Sequence, residues 1–309
     1  MRVILVLILT LLFSISHANL EEGLVAYYPF NGNGNDESGN NLHGTLTGAD
    51  STEDRFGNYG TAFMFGNNPS LEVPAVDYIT IPDTSALRLT DSLSFSFWIN
   101  PANVNGRHII AKQLGDGQHN SFVIWFEHGS GLKFSLENIY GSYTQPTASI
   151  PALDKWHHIV ATWDSLEMKL YVNRSEACSG IFTGPIAYDS NPIIIGADDN
   201  DNDDLADEGW VGILDDFRIY SRVLSEGDIS QLYFTGNWMN QPENIQIVID
   251  SQVNISWDAV IGATSYKVYS NSDPYEPWEN WVLEGEVNIT CWSEFTSESK
   301  KFYYVKAVN

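Results

Sequence analysis

The segment "DDNDNDDLADE" at residues 198–208 places seven carboxylates within eleven residues. Like charges this close repel, and only water, salt or a bound cation relieves the cost. Asp199, Asp201 and Asp203 alternate as the opening of a hand-type calcium loop does, but Asp204 stands where such a loop needs glycine and Trp210 where it needs a bidentate glutamate. The stretch therefore reads either as a solvated connection between two strands or as a second calcium site on another plan. Aromatic residues supply the other chemistry. Trp98, Trp125 and Trp163 lie on strand-like runs at the parity opposite the more obvious core residues, and Tyr140 and Tyr143 in a Gly/Ser turn. Exposed, such rings stack on the apolar face of a sugar; buried, they fill a β-sandwich, and for the tryptophans both readings stand. His157 and His158 are adjacent on a strand, so they point to opposite faces and cannot chelate one metal together. His43 follows an Asp-x-Ser-Gly turn and is expected to brace it. There is no Gly-x-Ser-x-Gly elbow, no His-Glu-x-x-His and no phosphate-cradling glycine loop, so no catalytic residue is assigned.

The elements that must position these residues are strands. From Leu24 to about Tyr220 short alternating runs rich in Phe, Trp, Tyr, Ile and Val are separated by Gly, Asn, Asp and Pro clusters. In "LSFSFWI", Leu93, Phe95, Phe97 and Ile99 fall on one face and Ser94, Ser96 and Trp98 on the other, the period of a strand with one buried side. One helix is expected after Ser225, which caps it with Asp228 three residues on, and Ile229, Leu232 and Tyr233 form its apolar face. A linker over 235–242 then leads to a second set of strands.

Composition narrows the partners. Forty acidic against fifteen basic residues give a formal charge of −25, which repels nucleic acid and anionic lipid and favours cations. Arg2, the apolar stretch from Val3 to Phe13 and the small residues Ser16-His17-Ala18 read as a signal peptide over 1–18. That stretch is too short to span a bilayer, which takes roughly 20 apolar residues, so the expected location is secreted or cell-surface with no membrane-spanning segment. Cys178 and Cys291 fall in different modules and are expected to be unbridged.

Five ordered blocks carry a resemblance: "GLVAYYPFNGNGNDESGNNLHGTLTG", "DSLSFSFWINP", "KWHHIVATWDSLEMKLYVN", "PIIIGADDN" and "GILDDFRIYSRVLSEGDISQLY". Together they look like the laminin-G-like branch of the concanavalin-A-like lectin/glucanase jelly rolls. The later "VNISWDAVIGATSYKVY" and "KFYYVKAVN" resemble a fibronectin type III module, an immunoglobulin-like sandwich in which Trp257, Tyr266, Tyr303, Val305 and Ala307 face inward. The expected architecture is all-β: a signal peptide over 1–18, a jelly-roll β-sandwich over 19–236 and a small fibronectin type III-like sandwich over 237–309. The Phe-Asp-Gly turn common in the family is replaced here by Phe65-Gly66-Asn67 and an apparent insertion.

The resemblance implies a structural calcium held by Asp36, by Asn40 or a neighbouring carbonyl, and by Asp216, between the Asp-x-Ser-Gly-Asn turn and the last long strand. It implies non-catalytic recognition, of carbohydrate or of a cell-surface or extracellular protein. The rival is a purely structural or protein-adhesion component without sugar binding. A divergent glycoside hydrolase stands third, because the laminarinase-type enzymes of this fold carry Glu-x-Asp-x-x-Glu on one strand and no such run exists here.

Overall fold

Alternating apolar runs can bury one face each only by closing on another sheet. The computed structural model describes residues 19–66, 76–104, 107–115, 119–198, 209–234, 245–249, 252–259, 264–273, 276, 280–295 and 301–308, and the chain divides into units 1–234 and 235–309. The expected signal peptide, the insertion at 68–75, the carboxylates at 199–208 and the linker at 235–242 lie outside the described residues.

The strands of the first unit are, in chain order, β1 Leu24–Tyr28, β2 Thr45–Thr47, β3 Asp50–Glu53, β4 Tyr59–Phe65, β5 Tyr78–Ile81, β6 Leu93–Asn103, β7 Arg107–Leu114 and β8 His119–Glu127. They continue with β9 Gly131–Glu137, β10 Tyr143–Thr144, β11 Thr147–Ala148, β12 His157–Trp163, β13 Glu167–Val172, β14 Ser175–Ile181, β15 Ile193–Ile195 and β16 Val211–Tyr220, followed by helix α1, Glu226–Phe234. Two antiparallel eight-stranded sheets result. The first runs β14-β13-β12-β6-β16-β4-β3 with β1 also on β16; the second runs β10-β9-β8-β7-β15-β5-β2 with β11 on β9. Between them lies one core in which Phe97 stacks on Phe217 at 4.9 Å and Phe95 meets Phe122 at 4.9 Å.

The alternation in β6 predicts one buried side, yet both sides are buried. Leu93, Phe95, Phe97 and Ile99 face the core, while Ser94, Ser96 and Trp98 are no more than 7% exposed. The second cover is α1 and the loop before it. Ser94 Oγ donates to the Arg222 carbonyl and accepts the Leu224 N–H, and Leu224, Ile229 and Leu232 pack on Val160 and Tyr220. The expected cap is present: Ser225 Oγ accepts the Asp228 N–H at 3.1 Å and the Asp228 carboxylate accepts the Ser225 N–H at 2.8 Å. Small polar residues on that face of β6 thus serve helix docking rather than solvent.

The second unit has β17 Gln246–Ile249, β18 Val253–Ser256, β19 Ser265–Asn271, β20 Val282–Val287, β21 Cys291–Glu294 and β22 Phe302–Val308. They form two three-stranded antiparallel sheets, β17-β18-β21 and β20-β19-β22. Val253, Ile255, Trp257, Tyr266, Val268 and Val305 make its core, with Tyr303 partly buried against it. The Ala307 side chain lies outside those described.

Two outcomes follow from this packing. His158 is buried beneath Trp98 and Tyr233, and burial first, then the neighbouring Arg55 and Arg218 charges, lower its pKa from 6.5 to about 3. The unfolded chain takes up the proton near 6.5 and the folded one does not, so this contribution to stability is complete above 6.5 and is lost on acidification. At pH 5 it costs about 2 kcal/mol. His158→Gln should flatten the urea-denaturation profile between pH 7 and 5, and an unchanged slope would contradict the assignment. Second, both cysteines are free, Cys291 exposed and Cys178 half-buried with its thiol pushed up to about 11 by burial. A thiol reagent at pH 8 should modify Cys291 first and Cys178 more slowly, because burial keeps its thiol protonated.

Candidate functional site

The outer face of the second sheet holds the most accessible of the three candidate tryptophans. Phe122, Ile124 and Phe126 of β8 point into the core, which turns Val123 and Trp125 outward. Cross-strand register sets His108 of β7 and Lys133 of β9 on either side of Trp125. The His108 ring lies parallel to the indole at 6.1 Å and 5°, and the Lys133 ammonium sits 5.6 Å from its centroid while pairing with Glu127. Trp125 is therefore a half-buried ring of fixed orientation, with an apolar surface and charged neighbours.

Polar groups continue along the same face. Gln113 lies opposite Asn120, whose amide donates to Asp198 Oδ2 at 3.0 Å, and His108 Nε2 is 3.6 Å from the same oxygen. Asp198, the first of the seven carboxylates, is fully buried; Asp199, Asp201 and Asp203 lie outside the described residues. The side-chain nitrogen of Gln113, the Asn120 oxygen and Ser121 Oγ are buried with no hydrogen-bond partner among the described residues. Leaving such groups unsatisfied costs about 1–3 kcal/mol each, which buried water removes.

At the sheet edge, Tyr143 pairs with Glu137 and is 60% exposed, and Tyr140 in the preceding turn is 77% exposed. Asn138 holds that turn: its side-chain oxygen accepts the N–H groups of Tyr140 at 2.9 Å and Ser142 at 3.1 Å, and its amide donates to the Thr183 carbonyl at 3.0 Å. The expected ring set thus separates. Trp125, Tyr140 and Tyr143 belong to the second sheet and its edge.

Trp98 and Trp163 do not form a ligand platform. Trp163 has the parity of Ile159 and Ala161, is 1% exposed, and donates its indole N–H to the Phe182 carbonyl at 3.0 Å within the core. Trp98 does face outward, but on the first sheet, where Arg55 lies 4.4 Å over its ring and Tyr233 and His158 flank it at 5.3 and 5.1 Å. His157 is tied to the Ala152 carbonyl and the Asn173 amide. His43 braces its turn as expected, Nδ1 accepting the Asp36 N–H at 3.1 Å.

The residues implied as calcium ligands do not fit a shared cation. Asp36 Oδ1 accepts the N–H groups of Tyr27 and Ser38 and Oδ2 that of Leu42, each at 2.9 Å. Burial opposes the Asp36 charge, but these donors outweigh it and hold the carboxyl below its usual range. Asp216 lies at the other end of Tyr27, taking the phenol O–H at 2.7 Å and Arg55 at 2.7 Å. The Asn40 amide donates to the Leu24 and Val25 carbonyls. Among the described residues no three His, Cys, Asp or Glu side chains converge as metal ligands.

A family model described as concanavalin A-like lectin/glucanases superfamily, of the laminin-G type, matches residues 74–230. The chain belongs to this superfamily. Its jelly roll is similar to domain 4 of AbnA, a GH43 extracellular arabinanase from Geobacillus stearothermophilus solved in complex with arabinotriose, at 20% identity and TM-score 0.51, covering 68% of this chain and 98% of that one. It is similar to the receptor-binding domain of a botulinum neurotoxin C/D mosaic serotype at 18% identity and TM-score 0.56, covering 86% and 70%. The binding domain of Paraclostridial Mosquitocidal Protein 1 matches at 16% identity and TM-score 0.55, covering 93% and 76%. Identities this low establish the fold alone. No curated protein sequence matches the chain significantly.

Within this jelly roll, sequence reasoning missed His108, Lys133, Gln113, Asn120 and Ser121. Opposite parity to the core residues of β7, β8 and β9 marks some of them, but only cross-strand register brings them together. Asn138→Ala should cost about 1 kcal/mol, because two part-buried N–H groups lose their acceptor to water, and should raise backbone exchange at Tyr140 and Ser142. Unchanged exchange there would show that the turn is held by other contacts.

Proposed function

We propose that the jelly roll is a non-catalytic recognition module that binds carbohydrate along the outer face of its second sheet, from Trp125 across β9 to Tyr143. The carrying observation is Trp125: an indole locked by His108 and Lys133, partly open on the outer face of a sheet whose edge carries the exposed Tyr143. A sugar has the complementary surface, an apolar ring face to stack and hydroxyls that both donate and accept. The complex of the AbnA domain with arabinotriose supports the reading, and makes that trisaccharide a natural first probe. The chain is exported, its leader being residues 1–18, and the second unit is a fibronectin type III-like spacer; six strands in two sheets around Trp257, Tyr266 and Val305 support that part.

A glycan array that includes arabino-oligosaccharides, followed by calorimetry on the best hit, tests the proposal. Trp125→Ala should weaken binding at least tenfold, which is about 1.4 kcal/mol, while the protein stays folded because the ring lies outside the inter-sheet core. Tyr143→Ala should weaken it less. Binding that survives Trp125→Ala would move the ligand elsewhere, and an array with no hits would favour the protein-adhesion reading.

A further inference from the structure

Strand β16 changes partner halfway. Gly212 to Leu214 pair with β4, Phe217 to Tyr220 pair with β1, and between them the register on β6 shifts from Asp215 to Arg218. Asp216 sits at the shift with φ of 53°, a left-handed conformation that Asp tolerates better than most residues. Such a bulge releases strict alternation, so two successive carboxylates can be reached by one group. Their side chains are 5% and 10% exposed. Two buried like charges so close demand a counter-charge.

Arg55 supplies it. The turn between β3 and β4 is fixed by Asp54, whose Oδ1 accepts the N–H groups of Phe56 at 2.8 Å and Asn58 at 2.9 Å. From that turn the Arg55 guanidinium reaches Asp215 Oδ2 at 2.5 Å and Asp216 Oδ2 at 2.7 Å, one nitrogen to each. Its plane is held between rings, 4.4 Å from Trp98 and 4.6 Å from Phe56. Arg218, 3.9 Å over the Tyr27 ring and 3.3 Å from Asp216 Oδ1, adds a second positive charge. Two guanidinium groups thus face two carboxylates.

We infer that Arg55 is the built-in counter-ion of the β16 kink, doing with a guanidinium what a divalent cation would do there, so that this part of the fold is independent of calcium. The two carboxylates implied by family resemblance as cation ligands, Asp36 and Asp216, are instead satisfied by arginine, tyrosine and backbone N–H groups.

The test uses the full chain with Asp199, Asp201 and Asp203 changed to Asn, so that any cation in that segment is separated from the kink. In this background, chelator and millimolar calcium should both leave the melting temperature unmoved; a rise in calcium or a fall in chelator would overturn the inference. Arg55→Ala should lower it by roughly 10 °C, because it leaves buried carboxylates uncompensated. If that variant does not fold, Arg55→Lys, which keeps the charge but loses the two-pronged reach, should fold with a smaller drop. The electrostatic role is read from a double-mutant cycle: Asp216→Asn should cost much less in the Arg55→Ala background than alone, and less by a smaller margin in Arg55→Lys. Additive costs would reduce Arg55 to a packing residue and overturn the inference.

Discussion

The kink of β16 constrains the whole first sheet. This strand is the seam on which β6, β4 and β1 meet, and it can serve three partners only by breaking register at Asp215 and Asp216. The break puts two carboxylates where water is scarce, and the arrangement holds because Arg55 arrives from one side and Arg218 and Tyr27 from the other. Asp36, hydrogen-bonded to the backbone of the same Tyr27, extends the lock to the opening turn of the chain. Removing one partner from such a buried set costs more than the set contributes, since it exposes the desolvation penalty of the others. The first and last strands of the jelly roll are therefore tied through one electrostatic knot.

That knot also decides which face is available for binding. The outer side of the first sheet is covered by α1, by Arg55 over Trp98 and by Arg174 over Tyr233 and Phe234. Aromatic surface there is used in holding arginines and docking a helix. The second sheet carries neither α-helix nor arginine stack among its described residues; its outer side holds one oriented indole and an edge with two exposed tyrosines. Two sheets of similar composition thus acquire different roles from what packs on them.

The three tryptophans show how far the sequence alone reaches. Trp98 and Trp125 both have the parity opposite to core residues, so alternation correctly turns them away from the inter-sheet core, yet one is covered and one partly open. Trp163, expected at the opposite parity, instead shares that of Ile159 and Ala161 and lies inside. Parity is a local property of the pleat. Coverage is decided by elements distant in the chain, here α1 and the β3–β4 turn, and no window along β6 or β8 contains them.

The amino-acid sequence by itself determined the all-β class, the positions of most long strands, the capped helix after Ser225 and the bracing of the Asp36 turn by His43, because each rests on period, turn chemistry or a hydrogen bond between near neighbours. Tertiary structure alone decided the partner of each charge. Asp216 reads as a cation ligand when only the residues around it are known, and Arg55, 161 positions earlier, gives no sign in sequence that its guanidinium will reach it. The physical reason is that Coulomb and hydrogen-bond energies depend on distance through space, which the chain sets only once both sheets have closed.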